Sequence, residues 1–306
     1  MKHALLIAEF LDTPWAVKRE RLALYAGVVA RWSAGTPRAM EDEDFGPQKS
    51  AWEARREQAA RLGGNGIAVL PLYGTIVQRA GMMTEWSGGA STQQFTQALR
   101  AALADETVGS ILIDIDSPGG SVYGVQELAD EILAARAQKP IVAIANSLAA
   151  SAAYWIGSNA SEFYVTPGGE VGSIGVWSAH EDWSRALAEA GVTTTIISAG
   201  KFKTEGNPYE SLSPEARDFQ QSRVNDYYGA FTRAVAKGRA VPVAQARDGM
   251  GQGRVLGADQ ALSEKMVDGI DTFDGVIKSM QRKLRQVAKP AASRLARAQN
   301  ELKILG

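Results

Sequence analysis

With 306 residues, 45% of them hydrophobic, and a net charge of −1, the chain has about the length of two domains and enough apolar material for a large core. It carries no overall field that would draw it to nucleic acid or to an anionic membrane. It has no cysteine and only two histidines, His3 and His180, which excludes disulfides, thiol nucleophiles and thiolate or multi-histidine metal sites, so no metal and no cofactor is expected.

The opening MKHALLIAEFLDTPW holds a short apolar stretch that Glu9 and Asp12 interrupt before it reaches the length of a signal-peptide core. A cytoplasmic protein without a membrane anchor is expected, and the lack of cysteine agrees with a reducing compartment. Residues 1–62 read as a helical N-terminal extension or pro-segment. Leu5, Phe10, Trp15, Leu22 and Trp32 are among its apolar positions, and a charged run from Glu41 to Arg61 contains Trp52. Gly63, Gly64 and Gly66 mark the join to the core.

From Ile67 the pattern alternates between strand and helix. Ile67–Gly74 reads as a strand, Thr92–Leu103 as a helix with Phe95, Leu99 and Leu103 on one face, and Ser110–Asp116 as a buried strand. Ser117-Pro118-Gly119-Gly120-Ser121 then reads as a tight turn in which Ser121 caps a helix bearing Val125, Leu128, Ile132 and Leu133. Strands at Ile141–Ala145 and Phe163–Val165 come next, with a helix containing Ser151 between them. After them come a glycine turn at Gly168 and Gly169, the segment VGSIGV at Val171–Val176, a helix over Ser184–Ala190 and a strand at Thr194–Ser198. A long helix spans Ser213–Lys237, and Arg254–Ile270 forms a small α/β segment that returns to the core. Strands and helices in this alternation argue for a layered α/β core with a parallel sheet. From Lys278 eight basic residues stand against one acidic residue, Glu301. That tail reads either as a solvated helix or as a grip on an acidic partner or a phosphate backbone.

The candidate nucleophile is Ser151, in PIVAIANSLAASAAYWIG (Pro140–Gly157). A strand that turns sharply into a helix presents a serine hydroxyl at the helix N-terminus, and alanine neighbours let a substrate backbone approach. Two other readings compete. The serine could be a buried hydroxyl bonded back to a helical carbonyl. The uncharged run Pro140–Ser161 has the length of a membrane span, but Asn146, Ser147, Ser158 and Asn159 within it argue against that.

Acyl transfer by serine needs a base, oxyanion donors and a groove. With histidine nearly absent, a lysine kept neutral by burial is the alternative. Bringing its pKa from about 10.4 to about 7 costs about 4–5 kcal/mol, so the protein must enclose it. Lys201 and Lys203, in SAGKFKTEGNPY, are the candidates, with Glu205 near enough in sequence to hold either one charged. The backbone N–H groups of Gly119, Gly120 and Ala152 are candidate oxyanion donors; the paired glycines equally suit an ordinary turn.

Taken together, DSPGGS (Asp116–Ser121), ANSLAASAAYWI (Ala145–Ile156), VGSIGV and SAGKFKTEGNPY (Ser198–Tyr209) resemble, in order and spacing, the signal peptide peptidase A (protease IV) family of serine peptidases. Within it the likeness is to the phage and prophage branch of lambda-type head maturation proteases, in the helical N-terminal segment, the VLPLYGTI strand and the GNPYE loop. The resemblance implies a Clp protease/crotonase-like fold of stacked strand–helix units. It places the peptidase domain over residues 65–275 and leaves 276–306 as a basic helical tail. It further implies Ser151 as nucleophile, Lys203 as general base, Ser173 as the residue that orients the lysine, and Gly119, Gly120 and Ala152 as the oxyanion hole, with Asn207 and Pro208 in the downstream loop.

The implied activity is a Ser-Lys endopeptidase, active as a homo-oligomer in the host cytoplasm or inside proheads. Its implied substrates are scaffold, capsid or portal proteins, and it requires no nucleic acid. Other readings stay open: a non-catalytic scaffold or binding protein on the same fold, a host peptidase that degrades signal peptides, a Clp-type enzyme using His180, and a crotonase-type acyl-CoA enzyme.

Overall fold

The computed structural model describes residues 14–17, 54–55, 57, 66–80 and 89–286. Its centre is a mostly parallel sheet. β2 (Ile67–Tyr73), β5 (Ser110–Ser117) and β7 (Ile141–Ala150) lie side by side in parallel register. β7 is ten residues long and uses its far edge twice: Val142–Ala145 pair with β8 (Glu162–Val165), and Leu148–Ala150 pair with β9 (Glu170–Gly172). The chain returns late to finish the sheet. β10 (Val255–Gly257) runs antiparallel to β9, and β11 (Gly269–Ile270) runs parallel to β8. A second, smaller sheet has the order β1 (Trp15–Val17), β6 (Gly119–Ser121), β3 (Ile76–Val77) and β4 (Ala90–Ser91).

Period-two alternation assigns the two faces of the main sheet. Ile111, Ile113 and Ile115 face one side together with Ile141, Ala143 and Ala145. This side is covered by α1 (Thr92–Ala104), α2 (Val125–Ala135), α3 (Ala152–Gly157) and α5 (Pro214–Arg239). Leu112, Val142 and Ile144 face the other side, where Val276, Ile277 and Met280 bury against them from a helix over residues 273–286. The boundary expected at residue 275 therefore falls inside a packed helix. Each of these side chains removes enough apolar surface to contribute about 1.5–3 kcal/mol. The stacked strand–helix units and the parallel sheet expected from the sequence are present. Three short helices, α4 (Ser184–Glu189), α6 (Val243–Asp248) and α7 (Ala258–Ser263), have six residues each.

Four local expectations are corrected. Trp15, expected in a helix, lies in β1; most of the rest of residues 1–62, Trp52 included, falls outside the described residues. Residues Asn146–Ala150 continue β7 and do not start a helix, because Ala149 and Ala150 find partners on β9. Gly119–Ser121 is itself a strand, and Ser121 caps nothing: α2 begins after Gly124, whose left-handed φ of 74° ends the loop. Thr194–Ser198 forms no strand. Its β-branched composition suits one, but no strand edge lies beside it among the described residues, and Ile197 is 95% exposed.

One ion pair, between an enclosed arginine and a half-exposed aspartate, ties α5 to the last strands. Arg239, nearly enclosed, donates from Nη1 and Nη2 to the two oxygens of Asp268 at 2.7 and 2.8 Å and from Nε to the Lys265 carbonyl at 3.1 Å. Burial alone would raise the Asp268 carboxyl. The Arg239 hydrogen bond, the Phe163 N–H and the Arg239 charge outweigh it, so the group sits below its ordinary range. A carboxylate depressed in the fold contributes stability above its unfolded pKa, and that contribution is lost as pH falls through its folded value. Arg239→Ala is expected to lower unfolding free energy by about 1–2 kcal/mol at pH 7, the half-exposed carboxylate being partly screened. In urea titrations the gap from wild type should narrow below about pH 4.

Candidate active site

Ser151 stands at the junction of β7 and α3, in a backbone conformation (φ 57°, ψ −119°) that L-residues rarely adopt. Such a conformation costs about 1–3 kcal/mol and persists only where the surroundings enforce it. Here they do. The Ser151 N–H donates to the Gly172 carbonyl at 2.7 Å, and its own carbonyl accepts from the Trp155 N–H at 2.9 Å. Every residue of α3 is buried. Trp155 stacks on Phe231 of α5 with ring centroids 4.6 Å apart and planes 8° from parallel, and the Tyr154 hydroxyl donates to the Met266 carbonyl at 3.0 Å. The strand–helix turn is thus pinned from three directions. Ser147 (φ 112°) and Ser173 (φ 54°) also have positive φ, which concentrates backbone strain around this one junction.

The Ser151 side chain is only 1% exposed, and its Oγ has no hydrogen-bond partner among the described residues. A hydroxyl bonded back to a helical carbonyl is therefore not what occupies this position. Ser173 lies one residue beyond the Ala150–Gly172 pair of β7 and β9, directly after the residue that binds the Ser151 N–H; its own N–H donates to the Arg254 carbonyl at 2.8 Å. Ala152 is the first residue of α3, where N–H groups lack an intrahelical partner.

Gly119 comes against the same spot, and Gly120 follows it in β6 against the Ile76 backbone. A Cβ on Gly119, whose φ is 97°, would stand 2.9 Å from both Ser151 Cβ and the Ala150 carbonyl oxygen. The Gly119 N–H is held by Ser117 Oγ at 3.2 Å, and that hydroxyl donates to the Gly74 carbonyl at 2.6 Å. Ser151 and Gly119 are thus brought together, with Ser173 just past the end of β9.

The lysine is not. Lys203 lies in turns between Lys201 and Gly206, beyond an arm in which residues 189–201 are all exposed, and it makes no hydrogen bond to Ser151. It lines a cleft of about 1060 Å³ with His180, Trp183, Phe202, Tyr209 and Phe219, and Ser151 is not among the lining residues. The two candidate lysines nevertheless separate. Lys201 pairs with Glu215 at 3.1 Å and sits 4.3 Å from the Phe202 ring, whereas Lys203 makes no ion pair among the described residues, with Glu205 or any other carboxylate. Asn207 shapes its loop, donating to the Thr204 carbonyl at 2.7 Å and accepting from the Tyr209 N–H at 2.9 Å, while the Pro208 carbonyl accepts from the Trp183 N–H. His180 Nε2 is buried without a partner in that cleft, away from the serine.

A polar cluster at the carboxyl end of the sheet is absent from the residues singled out in the sequence. Asp114 is buried in β5 and accepts from the Tyr73 hydroxyl. Burial pushes its carboxyl above the ordinary range, although the Tyr73 hydrogen bond opposes the shift. Beside it, Arg55 donates to Asp116 at 2.5 Å and to the Asn146 carbonyl at 3.0 Å, and lies over the Tyr73 ring. Its signal is an aspartate at an inward position of Ile111–Ile115, a stretch that is otherwise apolar.

The geometry can hold a serine for attack beside paired backbone glycines, and among the described residues no group of acidic or histidine side chains could hold a metal ion. No helix among them is long and apolar enough to cross a membrane. The family model for peptidase family S49 matches residues 134–288, a stretch that contains Ser151, Ser173 and Lys203. The chain belongs to peptidase family S49. Among its relatives is the head-tail preconnector protein GP5 of Enterobacteria phage P21, 34% identical over 245 residues, which cover 79% of this chain and 49% of that protein. Another is the capsid assembly protease C of Escherichia phage lambda, 35% identical over 237 residues, 77% of this chain and 52% of that one. A putative signal peptide peptidase SppA of Enterococcus faecium is 29% identical over 193 residues, 62% of this chain and 55% of that protein. The chain spans about half the length of these curated relatives. The S49 match bears out the resemblance read from the four motifs.

Proposed function

We propose that this chain is a serine endopeptidase that cleaves capsid-assembly proteins of a phage, with Ser151 as nucleophile and Lys203 as general base. The observation that carries the reading is the Ser151 hydroxyl, enclosed yet unbonded at a strained strand–helix turn against Gly119. A peptide carbonyl set there is attacked by Ser151 Oγ while the lysine takes its proton; the resulting ammonium hands that proton to the leaving amine. Water, deprotonated by the lysine, then hydrolyses the acyl-enzyme and the proton returns to Ser151 Oγ. The N–H groups of Gly120 and Ala152, and that of Gly119 once released by Ser117, stabilise the oxyanion, and Ser173 orients the ammonium.

Within one chain the arm that carries Lys203 stands off the core, with Ile196, Ile197 and Phe202 exposed. Such apolar exposure marks an interaction surface. We place it in a homo-oligomer, where packing of the arm closes the dyad and encloses the lysine as a neutral base. The names of the two phage relatives support assembly proteins as substrates, in the host cytoplasm or within the prohead.

The buried, unpartnered His180 Nε2 favours one second reading, a histidine base. Three variants separate the two. Lys203→Ala should lower the initial rate of peptide cleavage by about 10³-fold or more, whereas Lys201→Ala, whose lysine is already paired with Glu215, should change it less than about threefold. Loss of activity in His180→Ala with full activity in Lys203→Ala would transfer the base to the histidine. Co-expression with candidate capsid and scaffold proteins, followed by intact mass, would identify the products.

A further inference from the structure

The groove beside Ser151 is already filled by a strand of the chain itself. β1 (Trp15–Val17) runs antiparallel to β6, pairing Trp15 with Ser121, Ala16 with Gly120 and Val17 with Gly119. On its other side Trp15 exchanges both backbone hydrogen bonds with Trp177, N–H to O at 3.0 Å and O to N–H at 3.1 Å, and the Trp177 indole N–H reaches the Val17 carbonyl at 3.5 Å. The Pro14 carbonyl accepts from the Val122 N–H at 3.2 Å. Since the polar groups of Trp15 turn towards Trp177, alternation along the strand turns those of Ala16 towards Gly120.

The result is a tetrapeptide held on both edges, with Ala16 at the serine. The Ala16 carbonyl oxygen lies 2.2 Å from the point where a Cβ on Gly119 would stand, and Ser151 Cβ lies 2.9 Å from that same point. Residues Pro14–Val17 are buried. The N-terminal region makes a second contact at the carboxyl ends of β5 and β7, where Arg55 binds Asp116, the first residue of the DSPGGS segment.

We propose that Pro14–Val17 is a built-in pseudosubstrate: it occupies the site that receives an extended peptide antiparallel to β6, and the peptidase works only after this strand has left. The inference rests on Ser151 being the nucleophile. It specifies the peptide class as well: a strand-forming segment with a small residue opposite Gly120, because Ala16 is wholly enclosed there. A purely structural β1 would have no need to bring a carbonyl against Gly119 beside the serine.

The test is the rate at which a fluorophosphonate probe labels Ser151 in the full chain, with Ser151→Ala as the blank. Trp15→Ser/Val17→Ser, which removes the two buried side chains flanking Ala16, should be labelled at least about tenfold faster. Excess peptide copying residues 11–19 should bring the rate back. Equal or slower labelling in the folded variant overturns the proposal and leaves the peptidase reading standing. No labelling of any chain removes Ser151 as nucleophile, and the pseudosubstrate with it.

If the double variant does not fold, the unmodified chain decides. It is reacted to completion, by intact mass, with a peptidyl phosphonate bearing acetyl-Pro-Trp-Ala. Amide hydrogen exchange at residues 15–17 should then accelerate at least about tenfold as the tethered peptide displaces the strand. Unchanged protection there overturns the proposal.

Discussion

Ser151→Ala should abolish peptide hydrolysis, by about 10⁴-fold or more, and leave a chain at least as stable as the wild type. The loss comes from removing the attacking oxygen, since what remains is only binding and oxyanion stabilisation. The stability expectation is less ordinary. Deleting a buried hydroxyl normally breaks a hydrogen bond, but Ser151 Oγ has no partner among the described residues. An enclosed, unsatisfied polar group costs about 1–3 kcal/mol, and alanine relieves that while keeping the same backbone. Initial rates on a peptide substrate and a thermal melt on the same preparation check both halves. A serine that served the fold would show the reverse, with lost stability and unchanged residual cleavage.

Gly120→Ala should be the most destabilising of the glycine substitutions near the site. A Cβ there would stand 1.8 Å from the Ile76 carbonyl oxygen and 2.6 Å from the Ile76 carbonyl carbon and nitrogen. All three atoms are backbone of β3, so no side chain can swing aside. β6 must part from β3 on one side or from β1 on the other, and a loss above about 4 kcal/mol is expected, in the range reserved for forced backbone shifts and core disruption. Gly168→Ala, where nothing lies within 4 Å of the added methyl, should stay within about 0.5 kcal/mol of wild type. Chemical denaturation of the pair supplies the comparison.

The parts of the fold that could be read from the sequence are those whose partners are local or whose pattern is unambiguous. The β-branched runs Ile141–Ala145 and Ser110–Asp116 became β7 and β5, and the 3.6-residue spacing of Phe95, Leu99 and Leu103 became α1. The turn at Ser151 was legible because a β-branched run followed by alanines marks a strand that passes directly into a helix. Trp15–Val17 was illegible as a strand because its partners, Gly119–Ser121 and Trp177, lie more than 100 residues away. Ser121 looked like a helix cap because serine before an apolar run usually is one; in the fold its hydroxyl accepts from the Tyr123 N–H at 3.2 Å instead. Thr194–Ser198 shows the opposite failure, a strand composition with no strand to pair with among the described residues. The position of Lys203 relative to Ser151 was beyond reach for a related reason, since the exposed arm that carries it meets α5 through Lys201 and Glu215 and not the strand–helix turn of Ser151.

The two strands that β7 holds on its far edge impose an order on synthesis. β8 and β9 are made by residue 172, but the strands that cover their outer edges, β10 and β11, arrive only with residues 255–270. Until then a nascent chain displays two rows of unpaired backbone groups, the kind of edge on which chains aggregate. The long α5 lies between, and its Arg239 reaches Lys265 and Asp268 just ahead of β11. Translation from residue 172 to residues 255–270 is therefore the interval in which this protein is most exposed to its own copies.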